Sequence, residues 1–236
     1  MIISDIVDYY NYKIVCILYL IIVLIIFNTN ILSHIFGNNI TNTQINLFNF
    51  SILICGLVFL IIYPFVKIKL FNLFTKKNLN KKILYDPLHT IKINKNIENL
   101  LYELIPFLCI IIYIYLCVND NINAMSYFFI GISFIFIIKC ILSFSTIIPD
   151  SSQKCQVKLL NGGCNDLLCS GHFSVVFLIY LLTIKYKLVD KNINSFLLLF
   201  VILYGFVPIL TRNHYTIDIL VAIICVLLVN NYIPQK

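Results

Sequence analysis

Long runs of apolar residues fill most of the chain and constrain its fold more than any other feature. A helix needs about 20 apolar residues to cross the hydrocarbon core of a bilayer. Seven candidate runs occur, and the third and fifth of them are short. They lie at about residues 14–36, 47–66, 101–118, 124–146, 172–188, 195–211 and 216–233. The sequence therefore predicts an all-α, polytopic transmembrane helical bundle with six to seven spans.

The composition excludes the soluble classes of protein. Hydrophobic residues make up 61% of the chain and charged residues 11%, whereas soluble domains are about half apolar and a quarter charged. Disorder is excluded because disordered chains are poor in the Ile, Leu and Phe that dominate here. The first run is too long, and begins too late, for a cleaved signal peptide. Since no linker or internal repeat occurs, residues 1–236 are expected to form a single integral membrane domain.

Lysines supply almost all of the formal net charge of +7, and eight of them lie between Lys67 and Lys95. Nucleic-acid binding is one interpretation of such a cluster. In a membrane protein, topogenesis and attraction to anionic lipid headgroups explain it better. We therefore expect the lipid bilayer, and not nucleic acid, to be the partner of this loop.

The same lysines bear on the orientation in the membrane. With seven spans, the N-terminus and the loops at 67–100, 147–171 and 212–215 share one face, and the lysine-rich loop places that face in the cytosol. A glycosylation sequon at Asn39, in the opposite loop, agrees with this orientation. Three lysines between 185 and 191 lie on the far face and oppose it. The balance favours a cytosolic position for the lysine-rich loop.

A His-x-x-x-Asp segment opens the last apolar run. His214 and Asp218 are four residues apart and therefore lie on one face of a helix. A carboxylate beside an imidazole fixes its tautomer and stabilises the imidazolium, as a nucleophilic or basic histidine requires. Arg212, the only arginine in the chain, is two residues away, and its planar guanidinium suits phosphate oxygens. The alternative is an interfacial histidine followed by a helix-capping aspartate.

A Ser-Gly-His segment opens the fifth apolar run. Ser170 and Gly171 stand at the start of a helix, where backbone N–H groups and the positive end of the dipole can bind an anion. Gly171 allows the backbone to approach a ligand closely, and His172 can protonate a leaving oxygen. The tripeptide alone is weak evidence, but a His-x-x-x-Asp segment follows about 40 residues later at the same membrane face. Together the two segments predict a catalytic site.

Other polar residues of the apolar runs have two interpretations each. Lys139 lies inside the fourth run, where its ammonium either snorkels to the interface or contacts a phosphate. Cys155, Cys164 and Cys169 share a loop that ends at His172, but their spacing matches no common zinc pattern. No carboxylate cluster has the spacing of magnesium ligands. We therefore expect neither a metal ion nor a cofactor.

At these residues the chain resembles the superfamily of type 2 phosphatidic acid phosphatases, and more closely its sphingomyelin synthase-like branch. The Cys-x-Asp-x-x-x-Ser-Gly-His motif of that branch is matched from Cys164, through Asp166, to His172. Its His-Tyr-Thr-x-Asp motif is matched from His214 to Asp218. The Lys-x6-Arg-Pro element of the phosphatases is absent, so the resemblance favours transfer over hydrolysis. The chain is also similar to plant phosphatidylcholine:diacylglycerol cholinephosphotransferase.

Weaker matches extend the resemblance to about residues 83–233, which would form the lipid phosphotransferase core. Lys139 stands where the family has an arginine. Asp86-Pro87 resembles an inverted Pro-Asp element, and Glu103 falls where family members keep an acidic residue. No counterpart in the family is identified for the first two apolar runs.

The resemblance assigns a role to each of these residues. The expected catalytic residues are His172, His214 and Asp218, with Glu103, Cys164 and Asp166 as assistants. The expected phosphate-binding residues are Ser170, Gly171, Arg212 and Lys139. His214 would form a phospho-histidine, and His172 would protonate the departing diacylglycerol. The implied partners are a phospholipid donor of phosphocholine or phosphoethanolamine and a ceramide or diacylglycerol acceptor.

Two other functions use the same sequence features. A lipid phosphatase or phospholipase C-like hydrolase would use the same residues without an acceptor lipid, and a transporter or scaffold would use the histidines for gating or structure. The expected location is a multi-pass position in an endomembrane (ER or Golgi) or the plasma membrane. By resemblance the site faces the lumen or the outside, whereas the lysines place it in the cytosol. A homo-oligomer is one option for the quaternary structure.

Overall fold

A computed structural model describes residues 13–21, 40–68, 85–90, 100–146 and 168–234, and this part of the chain is helical with no strand. Residues 13–21 are helical, and six larger helices follow within the described ranges. They are α1 (Asn42–Ile68), α2 (Ile105–Asp120), α3 (Ile122–Ser145), α4 (Gly171–Lys185), α5 (Lys191–Leu210) and α6 (Thr216–Tyr232). Each lies on a predicted apolar run, so the predicted all-α bundle is confirmed.

Three of the helices are long and apolar enough to cross a membrane: α1 with 27 residues, α3 with 24 and α5 with 20. The apolar helices α2, α4 and α6 are shorter. Large apolar side chains cover the outer surface of α5, among them Phe196, which is 74% exposed. Because a soluble protein rarely exposes so much apolar surface, this outer face indicates contact with lipid. The helices thus indicate an integral membrane protein.

Helix α4 lies at the centre of the bundle, where it contacts α2, α3, α5 and α6. Its residues Leu178 and Leu182 are completely buried in the main core. On one side of this core, α1 and α3 run parallel, as ring contacts between Phe48 and Phe129 and between Tyr63 and Phe136 show. The shortest of the six helices is therefore the one whose surroundings are fixed most completely.

Polar side chains determine where the helices begin. Thr41 and Gln44 form a capping box at the start of α1. Asn121, the single residue between α2 and α3, accepts a hydrogen bond from the Ala124 N–H at 3.3 Å. Ser170 caps α4 in the same way by accepting from the Phe173 N–H at 3.4 Å. Such caps satisfy N–H groups that have no partner within the helix.

The alternating directions of the helices gather the candidate residues at one end of the bundle. Helices α1, α3 and α5 run towards this end, and α2, α4 and α6 begin there. A π-helical turn, Leu100–Leu104, leads into α2 at the same end. The Ser-Gly-His and His-x-x-x-Asp segments therefore lie at the starts of two neighbouring parallel helices, α4 and α6, close to the C-terminal ends of α3 and α5.

Candidate active site

A histidine–aspartate pair lies at the junction between α5 and α6. The Nδ1 atom of His214 is 3.1 Å from Oδ2 of Asp218. Asp218 lies in the first turn of α6, whereas His214 precedes the helix, so the pair spans the helix start and does not lie on one face of a helix as the spacing predicted. His214 is 4% exposed and Asp218 is completely buried. Since an ionised carboxylate only accepts hydrogen bonds, Nδ1 carries the proton and Nε2 is the nitrogen with an available lone pair. This pairing prepares Nε2 to act as a nucleophile or a base.

The carboxylate of Asp218 is itself fixed by the start of α6. Its Oδ2 atom also accepts a hydrogen bond from the Tyr215 N–H at 2.9 Å. Asp218 stands in the first turn of α6, where the positive end of the helix dipole stabilises an anion. Its Oδ1 atom is buried with no hydrogen-bond partner among the described residues. The carboxylate that orients the imidazole is therefore itself fixed through Oδ2, by a backbone N–H group, among the described residues.

The N-terminus of α4 lies beside that of α6. The Ser170 N–H donates to the carbonyl of Asp218 at 3.4 Å, which joins the two helix starts directly. Ser170 and Gly171 are buried, and His172 is half-buried. A Cβ atom at Gly171 would lie 3.0 Å from Cζ of Phe136. Glycine therefore permits closer packing of this residue against α3 than a larger residue would.

Tyr102 contacts the rings of both histidines. Its ring centroid is 4.2 Å from that of His172 and 6.3 Å from that of His214. The Tyr102 carbonyl, in the π-helical turn, accepts a hydrogen bond from the Tyr204 hydroxyl at 3.3 Å. The structure therefore brings His172 and His214, which are 42 positions apart by number, to one aromatic ring. The chain has 15 tyrosines, and nothing in the sequence distinguishes Tyr102 from the others.

The part of the chain that contains both histidines is similar to a known family. Residues 163–234 match the family model of the PAP2 superfamily C-terminal domain. The matched stretch includes His172, His214 and Asp218 and supports the type 2 phosphatidic acid phosphatase superfamily. Lipid chemistry of the phosphatase or phosphotransferase type is what this superfamily suggests. No curated protein and no solved structure matches the chain.

Arg212 lies inside the PAP2 stretch in an unusual backbone conformation. Its φ of 56° is left-handed, at a position just after α5 where glycine is preferred. A left-handed residue other than glycine costs about 1 kcal/mol or more. Its Nη2 atom donates to the carbonyl of His89 at 2.6 Å. The chain thus accepts backbone strain to place its only arginine at the end of the bundle that carries the histidines.

Lys139 lies upstream of the PAP2 stretch and is buried. Its ammonium donates to the carbonyl of Cys169, next to the cap of α4, at 2.9 Å. It also lies 5.9 Å from the ring centroid of Tyr63, and the buried Lys67 lies 4.7 Å from the same ring. The ammonium of Lys139 therefore turns towards the start of α4 inside the bundle, and binding of phosphate by it stays a prediction.

Asp86 and His89 form part of the site although they precede the PAP2 stretch by more than 70 residues. Oδ2 of Asp86 accepts a hydrogen bond from the Thr216 N–H at 2.7 Å. Nε2 of His89 is 3.0 Å from the carbonyl oxygen of His214. Sequence reasoning noted Asp86 only as a weak match and missed His89. The available signal was an acid and a histidine three residues apart in a chain with only four histidines.

The hydrogen bonds at Asp86 change its ionisation. Burial alone would raise the pKa of this carboxyl. The Thr216 N–H and hydroxyl, the Leu88 N–H and the neighbouring His89 together lower the pKa below its usual range. Asp86 is therefore an anion at neutral pH, as a partner for the positive end of α6 should be.

The side chains of the three predicted assistants, Glu103, Cys164 and Asp166, lie outside the described part of the structure. Cys164 and Asp166 lie outside the described residues. The backbone of Glu103 lies in the π-helical turn beside Tyr102, and its side chain is outside the described part. Within the described residues, no group of three or more His, Cys, Asp or Glu residues could bind a metal ion. The geometry therefore rests on the two histidines and Asp218, with Ser170, Gly171 and Arg212 nearby.

Proposed function

We propose that the protein is a lipid headgroup phosphotransferase. It moves phosphocholine or phosphoethanolamine from a glycerophospholipid to ceramide or diacylglycerol, through a phospho-histidine at His214. The observation that carries this proposal is the 3.1 Å contact between Nδ1 of His214 and the buried Asp218, which leaves Nε2 as the reactive nitrogen. The sphingomyelin synthase-like motifs and the PAP2 match support the lipid substrate.

The charges at the two helix starts favour one place for the phosphate group. The N-terminus of α6 already has two carboxylates, those of Asp86 and Asp218. The N-terminus of α4 is capped by the neutral hydroxyl of Ser170. A phosphate therefore binds more favourably at α4, where the dipole and the first N–H groups attract an anion and the capping side chain carries no charge.

The first chemical step cleaves the donor lipid. The lone pair on Nε2 of His214 attacks phosphorus, and the bond from phosphorus to the diacylglycerol oxygen breaks. His172 donates a proton to that oxygen, so neutral diacylglycerol leaves. The phosphorylated ring keeps its proton on Nδ1 and is cationic, and the Asp218 carboxylate stabilises this charge.

The second step forms the product lipid. His172, now neutral, takes the proton of the acceptor hydroxyl, and the oxygen of that hydroxyl attacks phosphorus. The bond from phosphorus to Nε2 breaks and returns His214 to its starting state. Transfer prevails over hydrolysis only if water is kept from the intermediate. The 4% exposure of His214 and the complete burial of Asp218 favour such exclusion.

Reconstituted protein distinguishes the candidate functions. The purified chain is incorporated into vesicles that contain phosphatidylcholine and phosphatidylethanolamine, and fluorescent ceramide and fluorescent diacylglycerol are added in parallel. The account predicts a labelled phospholipid, and its identity reports both headgroup and acceptor. Release of the headgroup without any acceptor would identify a hydrolase on the same residues.

A transporter or scaffold is tested with the same vesicles. The double variant His172→Ala, His214→Ala should abolish formation of the labelled lipid. The matched control is Lys191→Ala, at the start of α5 on the opposite end of the bundle, which should leave the rate unchanged. If the double variant retained the rate of the wild type, the histidines would not be catalytic and the proposal would be wrong.

A further inference from the structure

A short segment between α1 and α2 is joined to the connection between α5 and α6 by several hydrogen bonds. It comprises Asp86 to His89, and its last three residues lie in the 3₁₀ turn Pro87–Thr90. We call the joined residues, 86–89 and 212–216, the brace. Its members are more than 120 residues apart in the chain, so their contact is created by the fold and not by local sequence.

Asp86 caps a helix to which it does not belong. The Thr216 N–H is the first of α6 and has no acceptor within the helix. Oδ2 of Asp86 accepts from this N–H at 2.7 Å, and its Oδ1 accepts from the Leu88 N–H at 3.0 Å. Both oxygens are thus used, and the carboxylate fixes the start of α6 to the segment at 86–89.

His89 forms hydrogen bonds through both its side chain and its backbone. The carbonyl of His214 can only accept, so Nε2 of His89 must donate across the 3.0 Å that separate them. The His89 ring also lies on that of Tyr215, with centroids 5.2 Å apart and planes inclined by 30°. Arg212 donates to the His89 carbonyl at 2.6 Å. Residues on both sides of the His214 ring, Arg212 and Tyr215, are therefore contacted by His89.

The backbone of His214 needs such external support. Residues 211–215 lie between α5 and α6 and are not helical. Asp218 orients the His214 ring and accepts from the Tyr215 N–H, and the His214 N–H donates to the Pro208 carbonyl at 3.0 Å, but neither contact involves the His214 carbonyl or the Thr216 N–H. A displacement of about 1 Å at a catalytic group can lower a rate about 100-fold. The position of Nε2 therefore depends on whatever fixes residues 212–216.

We propose that Asp86 and His89 are positioning residues, which hold the backbone at residues 214–216 so that Nε2 of His214 lies in line with the phosphorus. The structural part of this inference stands on the hydrogen bonds alone. Its catalytic part rests on the proposed phosphotransfer. The brace also makes the segment before α2 a component of the site, although the PAP2 match begins at residue 163.

Hydrogen–deuterium exchange tests the structural part without any reaction. The full chain in detergent is compared with the variants Asp86→Ala and Asp86→Asn, and exchange is followed by mass spectrometry in the peptide that covers 211–219. Asp86→Ala should accelerate exchange in this peptide at least about 10-fold, as expected when a buried hydrogen bond is lost. Asp190→Asn, at an exposed position before α5 with no side-chain cap bond, is the matched control and should not change it. Unchanged exchange in both Asp86 variants would overturn the brace.

Two substitutions at His89 test the catalytic part. His89→Phe keeps a ring against Tyr215 but cannot donate to the His214 carbonyl, whereas His89→Gln keeps a donor. We expect kcat for headgroup transfer to fall about 100-fold in His89→Phe with little change in KM. His89→Gln should recover most of this loss, which a purely structural role of the ring would not produce. Equal kcat in the wild type and His89→Phe, or equal loss in both variants, would overturn the positioning role.

The exchange experiment and the kinetic experiment together distinguish a failure of this inference from a failure of the proposed function. If the wild type transfers no headgroup, the phosphotransfer proposal fails while the exchange experiment still reports on the brace. If transfer occurs and the variants behave as the wild type in both assays, the brace is wrong and the proposed function is unaffected.

Discussion

The two nitrogens of the His214 ring have different environments, and this difference determines what the residue can do. Nδ1 faces a buried carboxylate at 3.1 Å. Nε2 points away from it. Without Asp218 the proton would distribute between the two nitrogens, and a ring protonated on Nε2 cannot attack phosphorus. In the proposed mechanism, the reactivity of Nε2 therefore depends on a neighbour that does not itself contact the phosphorus.

The substitution Asp218→Asn tests this dependence. The amide preserves the shape of the side chain but can donate to Nδ1 and so favour the wrong tautomer. The same change in serine protease triads lowers kcat about 10⁴-fold, and we expect a loss of similar size in the initial rate of headgroup transfer. Elution of the variant as a monodisperse peak in size-exclusion chromatography is the control for folding. A rate within a few per cent of the wild type would contradict the role of Asp218.

Tyr102 is the residue that sequence reasoning had no means to find. Its contacts with His172 and His214 cross between helices, and tyrosine is common in this chain. By contrast, the spacing of four between His214 and Asp218 is local and could be predicted. The parts of the site built from residues close together in the sequence could be predicted, and the parts built between helices could not.

Substitutions at Tyr102 separate the ring from the hydroxyl. Tyr102→Ala leaves a gap between the two imidazoles and should lower kcat for transfer about 100-fold, because both catalytic rings lose a fixed neighbour. Tyr102→Phe keeps the ring and should retain most of the activity. The measurement is the initial rate with fluorescent ceramide or diacylglycerol in vesicles. Equal loss in both variants would show that the hydroxyl, and not the ring, is what matters.

At the scale of elements, the helices were predicted well because apolar runs and caps are local signals. The predicted run 47–66 lies within α1, which starts five residues earlier, at Asn42. The cause is the capping box of Thr41 and Gln44, which extends the helix through polar residues that hydropathy alone excludes. The central position of α4 could not be predicted, since it depends on which helices pack against one another.

The packing of the α4 start against α3 yields a prediction at this scale. In Gly171→Ala, the new methyl group would lie 3.0 Å from Cζ of Phe136. Overpacking of this kind costs about 1–3 kcal/mol, so the midpoint of thermal unfolding should fall. Headgroup transfer should fall with it, because Ser170 and His172 move with the helix start. Thermal unfolding in detergent, followed by size-exclusion chromatography after heating, measures the first effect.

A second substitution provides the control for that prediction. Phe136→Leu shortens the opposing side chain, and the double variant Gly171→Ala, Phe136→Leu should be more stable than the sum of the two single changes implies. Strict additivity of the two changes would contradict the steric explanation.

At the scale of the whole molecule, the alternating helix directions place all described candidate residues at one end of the bundle. Residues 40–41, which precede α1, lie at the opposite end. The candidate site and residues 40–41 therefore lie at opposite ends of the bundle, while the sequon at Asn39 lies outside the described residues. Modification of Asn39 can therefore test the orientation of the protein in the membrane.

Glycosylation mapping answers that question. From the lysine-rich loop we expect the Asn39 side to be lumenal and the catalytic end to be cytosolic. Asn39 should then carry a glycan that glycosidase removes and that Asn39→Gln abolishes. A sequon introduced into the loop at 67–100 is the matched control and should stay unmodified. The reverse pattern, with the introduced sequon modified and Asn39 not, would place the site on the lumenal or outer face.

The most direct test of the central claim is to trap the covalent intermediate. The purified protein is mixed with phosphatidylcholine labelled in the phosphate group, with no acceptor lipid, and quenched at alkaline pH, where phospho-histidine is stable. The account predicts a phosphocholine adduct on His214 by mass spectrometry, lost in His214→Ala and discharged when acceptor lipid is added to the wild type. Headgroup transfer that continues in His214→Ala, with no adduct on His214 in the wild type, would contradict the account.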